Sequence, residues 1–487
     1  MNTHLLALQL MAAQGCLGAF DTIYHHEITE ALPQKASARL ELTIHATRAL
    51  IYSLLFVGLA AWEWHGAWAW VLVIVFGVEI VLTLWDFVVE DQTRLLPATE
   101  RVTHTVLAIN AGAFIALLAL NSSEWATLPT ALVWQPYGWL SVFLALCGVG
   151  VGLSGLRDAY AVWQLGRRKV QEIAEQEEHL RFAAAPQSVL VTGATGFIGQ
   201  QLVSALLADG HAVTVLTRQP KQAAWTFDGQ VRCIRSFGEL SDAQRIDMVV
   251  NLAGARIVGQ RWTDARKAAL RRSRVALTQD LVAWIARAQH KPRVLLSASA
   301  IGYYGVQPQG DATELTEESA PQAIFMSQLC QEWEAAARQA ERYGVQVGCM
   351  RFGLVFGHQG SLPQMLLPVR FGAGGPLGSG RQWVTWVHVR DVIRGIAHVA
   401  HRSEEGAVNG AYNFCAPQAI QQRHFAQVAG KVLHRPSFMP TPAFVMRALL
   451  GEQADLLVEG QRVAPRRLLE EGFSFRYPQL EGALRSL

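Results

Sequence analysis

The sequence predicts two regions of different fold class, an N-terminal α-helical membrane bundle and a C-terminal α/β region built on a doubly wound parallel sheet with a smaller substrate-side domain. Three observations predict this division. Nearly all the long apolar runs lie in residues 1–156. A glycine-rich segment at 189–199 then reads as a strand, a tight turn and the start of a helix. From there apolar strand-like and helical segments alternate, which is typical of parallel sheets.

Composition excludes several other classes of protein. The chain has 487 residues and a net charge of +3, which is too small to favour a nucleic-acid partner. No basic stripe with interleaved aromatic residues is present either. The six cysteines are scattered without a C-x-x-C pair. This spacing indicates free thiols in a reducing compartment.

Five N-terminal segments reach the length of about 20 apolar residues that a bilayer-spanning helix needs. They cover residues 5–24, 44–62, 67–89, 102–120 and 132–153. The first segment has no Lys or Arg before it and no small-residue cleavage site after it, so we expect it to be retained rather than removed as a signal peptide.

Basic residues in the loops predict how these segments are oriented. They follow the first, third and fifth segments, at Lys35, Arg39, Arg94, Arg101 and Arg157. The loops after the second and fourth segments contain neither Lys nor Arg. The positive-inside rule then places the N-terminus outside and the C-terminal region in the cytoplasm. We expect a multi-pass protein of a bacterial cytoplasmic (inner) membrane, with the lipid bilayer as its partner.

Acidic and imidazole side chains recur four residues apart near the predicted cytoplasmic ends of these segments, which places both members of a pair on one helical face. The candidate metal ligands among them are His25, His26, Glu41, His45, Glu90, Glu100 and His104. One interpretation is a metal site or another bound redox group such as haem, because histidine and carboxylate suit iron, manganese or zinc. The other is a set of ion pairs and helix caps in which Arg48 neutralises carboxylates. Both interpretations remain open.

The glycine-rich segment predicts a nucleotide-binding turn. Gly193, Gly196 and Gly199 allow the backbone to approach a pyrophosphate, which would lie on the amides at the start of the following helix. Arg218 follows the second strand, where an acidic residue would hold the ribose 2′-hydroxyl of NAD. Since a guanidinium pairs with a 2′-phosphate, the sequence favours NADP(H) over NAD(H). The alternative for Arg218 is a solvated residue at a strand end.

The order of several motifs resembles the extended short-chain dehydrogenase/reductase family. These are the glycine-rich turn, N-L-A-G at 251–254, S-A-S-A-I-G-Y-Y-G at 297–305, R-F-G-L-V-F-G at 351–357 and W-V-H-V-R-D-V at 386–392. Segments 250–255, 261–262, 374–380 and 462–478 are more narrowly similar to its atypical, nucleoside-diphosphate-sugar epimerase-like subgroup. The resemblance implies a Rossmann-like fold with the cofactor lined by Gly193, Thr195, Gly196, Phe197, Ile198, Gly199, Arg218, Asn251, Ala253, Gly254 and Ser297. It also implies that Arg381, Trp386 and His388 lie near the substrate cleft.

The sequence departs from the catalytic pattern of that family. The family uses a Tyr and, four residues later, a Lys that lowers the pKa of the phenol. Here the two possible registers give Phe325 with Leu329, or Met326 with Cys330. The nearest substitute proton donors are Ser299, Tyr303 and Cys330. Alternatively, the proton comes from water or substrate, or the domain binds NADPH without turnover.

Structural roles compete with catalytic ones at these positions. Tyr303 would pack over the nicotinamide end, and Cys330 would be a buried small apolar side chain. For His388 and Asp391 we expect a role in capping or orienting a helix.

We therefore expect a membrane-anchored NADP(H)-dependent oxidoreductase or epimerase-like protein. In one variant of this expectation, the protein passes reducing equivalents to the His/carboxylate cluster. The alternative is a non-catalytic NADPH-binding sensor or scaffold of a membrane assembly. The predicted divisions are a helical bundle at 1–156, a charged helical linker at 157–187, an NADP-binding domain at 188–356 and a partly interleaved substrate-side region at 357–487. The small-molecule substrate stays unnamed, and a homo-oligomer stays open.

Overall fold

A computed structural model describes residues 3–22, 24–25, 39–93, 98–175, 180–257 and 261–487. The chain forms two compact units, Met1–Glu177 and Glu178–Leu487. The boundary between them falls inside the segment predicted as a charged linker, 157–187. Each unit is described by itself.

Five helices form the N-terminal unit. They are α1 (Thr3–Asp21), α2 (Arg39–Ala60), α3 (Ala67–Thr93), α4 (Ala98–Trp125) and α5 (Trp139–Glu175). Each contains a stretch long and apolar enough to cross a membrane, in agreement with the five predicted segments. α1 packs against α4, and α2 packs against α5. Their shared core includes Leu8, Met11, Leu55 and Phe114.

The fifth predicted segment, 132–153, begins too early. Residues Ala131–Trp134 form a short strand, β2, that pairs antiparallel with β1 (Trp62–His65). Pro136 and Gly138, whose φ is +58°, separate this hairpin from α5. The apolar run therefore contains a strand, a turn and a helix, which hydropathy alone does not distinguish. α5 itself continues beyond the apolar segment to Glu175.

The C-terminal unit contains eleven strands within its described residues. They are β3 (Ser188–Thr192), β4 (Ala212–Leu216), β5 (Arg232–Ile234), β6 (Met248–Asn251), β7 (Val294–Ala300), β8 (Gln346–Phe352), β9 (Leu354–Phe356), β10 (Trp383–Val384), β11 (Trp386–His388), β12 (Gly410–Phe414) and β13 (Ile420–Gln421). Seven of them form one sheet in the order β12-β8-β7-β6-β3-β4-β5, with all neighbours parallel. The predicted doubly wound parallel sheet is confirmed.

Helices connect the strands of this unit. They are α6 (Phe197–Ala208), α7 (Pro220–Thr226), α8 (Asp264–Arg271), α9 (Leu277–Arg287), α10 (Phe325–Arg338), α11 (Leu362–Arg370), α12 (Val389–Arg402), α13 (Gln422–Leu433), α14 (Ala443–Leu450), α15 (Asp455–Val458), α16 (Arg466–Glu470) and α17 (Leu480–Arg485). Both faces of the sheet are covered. Val189 and Val191 lie in the core on one face, and Leu190 lies in the core on the other. A strand buried on both faces is apolar throughout, as this one is.

A smaller region follows the sheet. Its own core contains Phe356, Trp386 and Phe425. β10 pairs antiparallel with β13, and β11 pairs parallel with β9. The chain then contributes β12 to the edge of the main sheet beside β8. The two parts of the C-terminal unit are therefore interleaved.

Candidate functional site

The glycine-rich turn joins β3 to α6 at the carboxyl end of the sheet. Gly193 has a φ of +70°, and a Cβ there would lie 2.7 Å from the carbonyl carbon of Leu252. A Cβ on Gly199 would lie 2.2 Å from the carbonyl oxygen of Gly193. The amide of Gly196 donates to that same oxygen at 3.0 Å. Only glycine fits at positions 193 and 199 without moving the backbone.

The start of α6 has no side-chain cap. Gly196 occupies the N-cap position and is exposed, so the first amides of this 12-residue helix receive no side-chain acceptor. Amides in this position bind phosphate groups and other anions. Beside them, Thr195 is half-buried, the ring of Phe197 packs against Gly357, and Ile198 contacts the core beneath the turn.

Arg218 lies at the same carboxyl end of the sheet as the glycine-rich turn. β3 and β4 are in register, with Thr192 opposite Leu216, so both strands end together. Arg218 follows β4 by two residues and is exposed. Arg218, the residue predicted to bind the 2′-phosphate, thus lies at the end of the strand next to the glycine-rich turn.

Asn251 and Ser297, two of the predicted cofactor-lining residues, are buried in a hydrogen-bond network at the ends of their strands. They are 0% and 1% exposed, and the Asn251 amide donates to Ser297 Oγ at 3.1 Å. Asn251 Oδ1 accepts a hydrogen bond from Thr192 Oγ1 at 2.7 Å. Thr192 Oγ1 also accepts from the amide of Ala253 at 3.1 Å. Asn251 and Ser297 therefore help to hold the loop that carries Ala253.

Arg274 is a candidate residue that the sequence reading missed. It is 6% exposed, and a Cβ on the exposed Gly254 would lie 3.0 Å from its guanidinium carbon. One of its Nη atoms donates to the carbonyl of Ala255 at 2.8 Å, and the ring of Trp333 lies 5.3 Å away. No carboxylate in the described part of this unit forms an ion pair with it. Burial lowers the pKa of Arg274 to about 10. The result is positive charge beside the Gly254 turn.

Ser299 and Cys330, two of the predicted proton donors, are both buried. The Ser299 hydroxyl donates to Glu334 Oε1 at 2.7 Å. Cys330 is 2% exposed, and burial raises the pKa of its thiol to about 12. Cys330 therefore has the surroundings of a buried apolar side chain, which was the competing interpretation.

Tyr303, the third predicted donor, lies above a closed polar network. Arg351 donates to both oxygens of Glu334, at 2.8 Å each, and its guanidinium carbon lies 3.4 Å from the centre of the Tyr303 ring. Arg351 also donates to the hydroxyl of Tyr304 at 2.9 Å. Burial raises the pKa of Tyr304 to about 12. Tyr303 is half-buried, so it is the one of the three predicted donors that keeps a surface.

His388 and Asp391 serve α12, as predicted. His388 Nδ1 accepts from the amide of Arg390 at 3.1 Å and caps the helix. Burial, followed by the nearby Arg390, lowers the pKa of His388 to about 3. Asp391 accepts from the amides of Arg476 and Tyr477, at 2.7 and 2.9 Å, and so anchors the C-terminal segment.

Trp386, which the resemblance places near the substrate cleft, is part of a packed core. Its ring is fully buried and stacks on Phe356 with 5.5 Å between ring centres. It belongs to the core of the smaller region, and all three residues of β11 are buried. Arg381, five residues earlier, is exposed.

A second polar cluster lies inside the N-terminal unit, and its first half connects α1, α3 and α4. His25 Nδ1 lies 2.7 Å from Asp21 Oδ1. The other oxygen of Asp21 lies 3.1 Å from His104 Nε2. His104 Nδ1 in turn lies 3.2 Å from Glu90 Oε2. One imidazole thus bridges carboxylates from two different helices.

The second half of this cluster connects α2 and α3. His45 Nε2 lies 3.8 Å from Glu90 Oε1 and 3.1 Å from Asp86 Oδ2. Arg48 donates to Asp86 Oδ2 at 2.6 Å and to Glu79 Oε1 at 3.0 Å. The predicted neutralisation of carboxylates by Arg48 is therefore present. It involves one end of a longer network.

Of the remaining predicted ligands, Glu41 lies beside this network. Glu41 and Glu100 are fully buried. Glu41, His45 and Glu90 offer ligand atoms that all lie within 4.8 Å of one another. His26 lies outside the described residues.

A cavity of about 640 Å³ opens beside the network. Its polar wall includes Asp21, His45, Arg48, Asp86 and His104 from the network, together with Gln14, Arg157 and Asp158. Most of the remaining wall is small or apolar, and includes Ala49, Phe56, Phe87, Ala108 and Val151. A volume of this size is typical of pockets for small molecules.

The glycine-rich turn, the uncapped helix and the parallel sheet define the C-terminal unit as a dinucleotide-binding domain of the Rossmann type. The chain belongs through this unit to the NAD dependent epimerase/dehydratase family, whose model matches residues 189–415. A domain of unknown function, DUF1731, matches residues 441–487. No family model recognises the N-terminal unit.

Relatives of known name match the C-terminal unit. The epimerase family protein YfhF of Bacillus subtilis is 35% identical over 302 residues, which is 62% of this chain and 97% of the relative. The chloroplastic SDR39U1 homologue of Arabidopsis thaliana is 39% identical over 309 residues, which is 62% of this chain and 86% of the relative. A crystal structure of human SDR39U1 with NADPH has a TM-score of 0.55 and 35% identity, and covers 61% of this chain and 98% of that one. The C-terminal unit is thus an NAD(P)-binding, epimerase-family domain.

Proposed function

We propose that the protein is a membrane-anchored oxidoreductase that binds NADP(H) in its C-terminal unit. The observation that carries the cofactor preference is Arg218, exposed at the end of the strand next to the glycine-rich turn. A guanidinium there pairs with a 2′-phosphate and has no equivalent partner in NAD(H). The human relative solved with NADPH supports this choice.

The five apolar helices support the membrane part of the proposal. Each is long enough for the hydrocarbon core of a bilayer. The basic residues of the loops favour an N-terminus outside and a C-terminal unit in the cytoplasm, where NADPH is available. The bilayer is then the partner of the N-terminal unit, and the substrate is an unidentified small molecule.

Of the three candidate proton donors, the geometry favours Tyr303 over Ser299 and Cys330. Its side chain is half-buried, and its ring lies against the Arg351 guanidinium, which holds the ring in place beside the polar network. Ser299 already donates to Glu334, and the Cys330 thiol is buried. A non-catalytic NADPH sensor is the second candidate function, because Phe325 or Met326 stands where the family has its tyrosine.

The fuller version of the proposal gives the N-terminal cluster a redox role. Reducing equivalents from NADPH would reach a metal ion or another redox group, such as haem, held by residues around Glu90. Anaerobic addition of NADPH to the full-length protein, followed by optical spectroscopy, tests this step. Oxidation of NADPH with a matching change in the bound group supports it, whereas NADPH that stays reduced favours the sensor.

The cofactor assignment is tested by titrating the detergent-purified full-length protein with NADPH and with NADH in a calorimeter. We expect NADPH to bind at least about tenfold more tightly, which is about 1.4 kcal/mol. Arg218→Glu should abolish or reverse this preference. The matched control is Arg245→Glu. Arg245 is also exposed, but it lies before β6, at the amino end of the sheet. Equal preference in the wild type and Arg218→Glu would contradict the assignment.

A further inference from the structure

The cavity of the N-terminal unit is bordered by all five helices of the bundle. Its wall includes Gly18 on α1, Arg48 on α2, Phe87 on α3, Ala108 on α4 and Gly150 on α5. Its volume of about 640 Å³ lies within the roughly 300–1,000 Å³ that is typical of pockets for small molecules. The cavity is therefore a feature of the whole bundle and is large enough for a ligand.

The wall contributed by α5 is exposed to the surroundings of the bundle. Gly150 and Leu153, which lie three residues apart on one face of the helix, both line the cavity. Gly150 is exposed, and the side chain of Leu153 is 64% exposed. Exposed apolar surface of this kind is typical of contact with a membrane. If α5 spans a bilayer, as proposed, a lipid-soluble molecule can enter the cavity beside these two residues.

Aromatic side chains form part of the wall inside. Tyr52 and Phe56 lie one turn apart on α2, with 6.1 Å between their ring centres, and both line the cavity. Phe87 lines it from α3. Aromatic faces pack well against other flat rings. This part of the wall therefore favours a ligand with a flat ring.

Arg48 supplies hydrogen-bond donors to the same cavity. Its Nε and one Nη donate to Glu79 Oε1, at 3.1 and 3.0 Å, and its other Nη donates to Asp86 Oδ2 at 2.6 Å. These bonds use three of the five N–H groups of a guanidinium. The side chain of Arg48 is 23% exposed and lines the cavity. The two carboxylates thus hold the guanidinium in place, and it keeps donor capacity for a carbonyl oxygen of a ligand.

We propose that the cavity binds the head group of a lipid-soluble quinone. The flat ring packs against Tyr52, Phe56 and Phe87, and one ring carbonyl accepts a hydrogen bond from Arg48. The apolar tail leaves the bundle beside Gly150 and Leu153. A quinone combines the three properties that this wall selects, which are a flat ring, carbonyl acceptors and solubility in lipid.

This inference names the substrate class of the proposed oxidoreductase, and rests on the proposed function for the origin of the electrons. A quinone that receives the hydride of NADPH and one proton from water becomes a quinol, and NADPH becomes NADP⁺. Binding of quinone and binding of NADPH are measured separately on one sample. A protein that binds NADPH without quinone would overturn this inference alone, and the reverse result would overturn the cofactor assignment alone.

The test is an equilibrium binding titration of detergent-purified full-length protein with tritiated decylubiquinone, a quinone with a short tail, in the absence of NADPH. We expect one saturable site per chain. Unlabelled decylubiquinone should displace the label, whereas decylbenzene, which has a ring and a tail but no carbonyl, should not. Equal displacement by both compounds would show a cavity that accepts any apolar molecule, and would overturn the quinone assignment.

A substitution that fills the cavity tests where the quinone binds. No atom lies within 4 Å of the Cβ position of Gly150, so the side chain of Gly150→Leu can enter the cavity. We expect this variant to bind decylubiquinone at least about tenfold more weakly, because leucine takes the space of the ligand. The matched control is Gly77→Leu. Gly77 is an exposed glycine on α3, outside the cavity wall, and it also has no atom within 4 Å of its Cβ position.

Two further variants keep the test decisive if Gly150→Leu does not fold. Gly18→Leu fills the cavity from α1, where no atom lies within 4 Å of the Cβ position, and should weaken binding as Gly150→Leu does. Arg48→Lys keeps the positive charge beside Glu79 and Asp86 but removes the forked donors, so it should also bind decylubiquinone more weakly. No saturable binding by the wild type, or binding by Gly150→Leu and Gly18→Leu as tight as by Gly77→Leu, would overturn the proposal.

Discussion

The two units each bury a network of charged side chains, and the networks differ in how they are completed. In the C-terminal unit, Glu334 and Arg351 form a bidentate pair, and Ser299 and Tyr304 occupy further hydrogen-bonding positions of the pair. In the N-terminal unit, carboxylates alternate with imidazoles along a line that borders a cavity.

This difference is the reason why we assign a structural role to the first network and propose a binding role for the second. A buried carboxylate that meets one guanidinium in a closed arrangement needs nothing further. Buried carboxylates that share imidazoles present the donor atoms that metal ions bind. Both networks consist of buried charged side chains, so burial and charge do not distinguish them. The number of carboxylates and the way in which the side chains are connected do. Neither property is visible in a list of ionisable residues.

Breaking the closed network should have the largest effect. Arg351→Met leaves Glu334 buried without its partner, and removing one member of a buried pair costs about 3–5 kcal/mol. We expect the unfolding free energy of the C-terminal unit to fall by that amount. Pulse proteolysis of the full-length protein in urea, with the cleavage sites mapped, measures it. The double variant Arg351→Met/Glu334→Gln should lose less, and an equal or larger loss would argue against a closed pair.

In the glycine-rich turn of the same unit, Gly193→Ala should weaken NADPH binding at least about tenfold, which corresponds to about 1.4 kcal/mol. The added Cβ would meet the Leu252 backbone at 2.7 Å and would require a φ of +70°. Gly229→Ala is the control, because Gly229 has a φ of +71° with no atom within 4 Å of its Cβ position. Calorimetric titration that finds equal losses in both variants would trace the effect to backbone strain and not to the turn.

A further effect is expected from pH. Burial holds the pKa of His388 at about 3, so the unfolded chain takes up a proton at a higher pH than the folded chain. The stability from neutral His388 is complete above a pH of about 6.5 and is lost as the pH falls, by about 2 kcal/mol at pH 5. His388→Asn keeps a capping acceptor and should lack this loss. Parallel unfolding free energies of wild type and variant between pH 7 and pH 5 would contradict the assignment.

The sequence predicted the elements better than their contacts. The glycine-rich turn, the parallel sheet and the five apolar helices follow from local spacing, and all are present in the described residues. β2 was missed because a short apolar strand and the start of a helix have the same hydropathy. Trp386 was placed at the cleft by resemblance, although it packs on Phe356.

The pairing of distant groups could not be predicted. Asp21 and His25 are four residues apart and do contact each other. His45 instead reaches Asp86 on α3, and His104 reaches Asp21 on α1. Helical periodicity fixes which residues share a face, but not which face of another helix they meet. The Glu334–Arg351 pair was missed for the same reason, since it joins α10 to β8.

Hydrogen–deuterium exchange of the full-length protein before and after treatment with EDTA tests the contrast between the two networks most directly. If metal ions complete the N-terminal network, their removal should speed exchange in peptides of α2 and α4 and leave peptides around Glu334 and Arg351 unchanged, because a ligand stabilises the fold that binds it. Addition of Mn²⁺ should restore the slow exchange. Exchange that is unaffected by EDTA and by Mn²⁺ in both units would contradict the account.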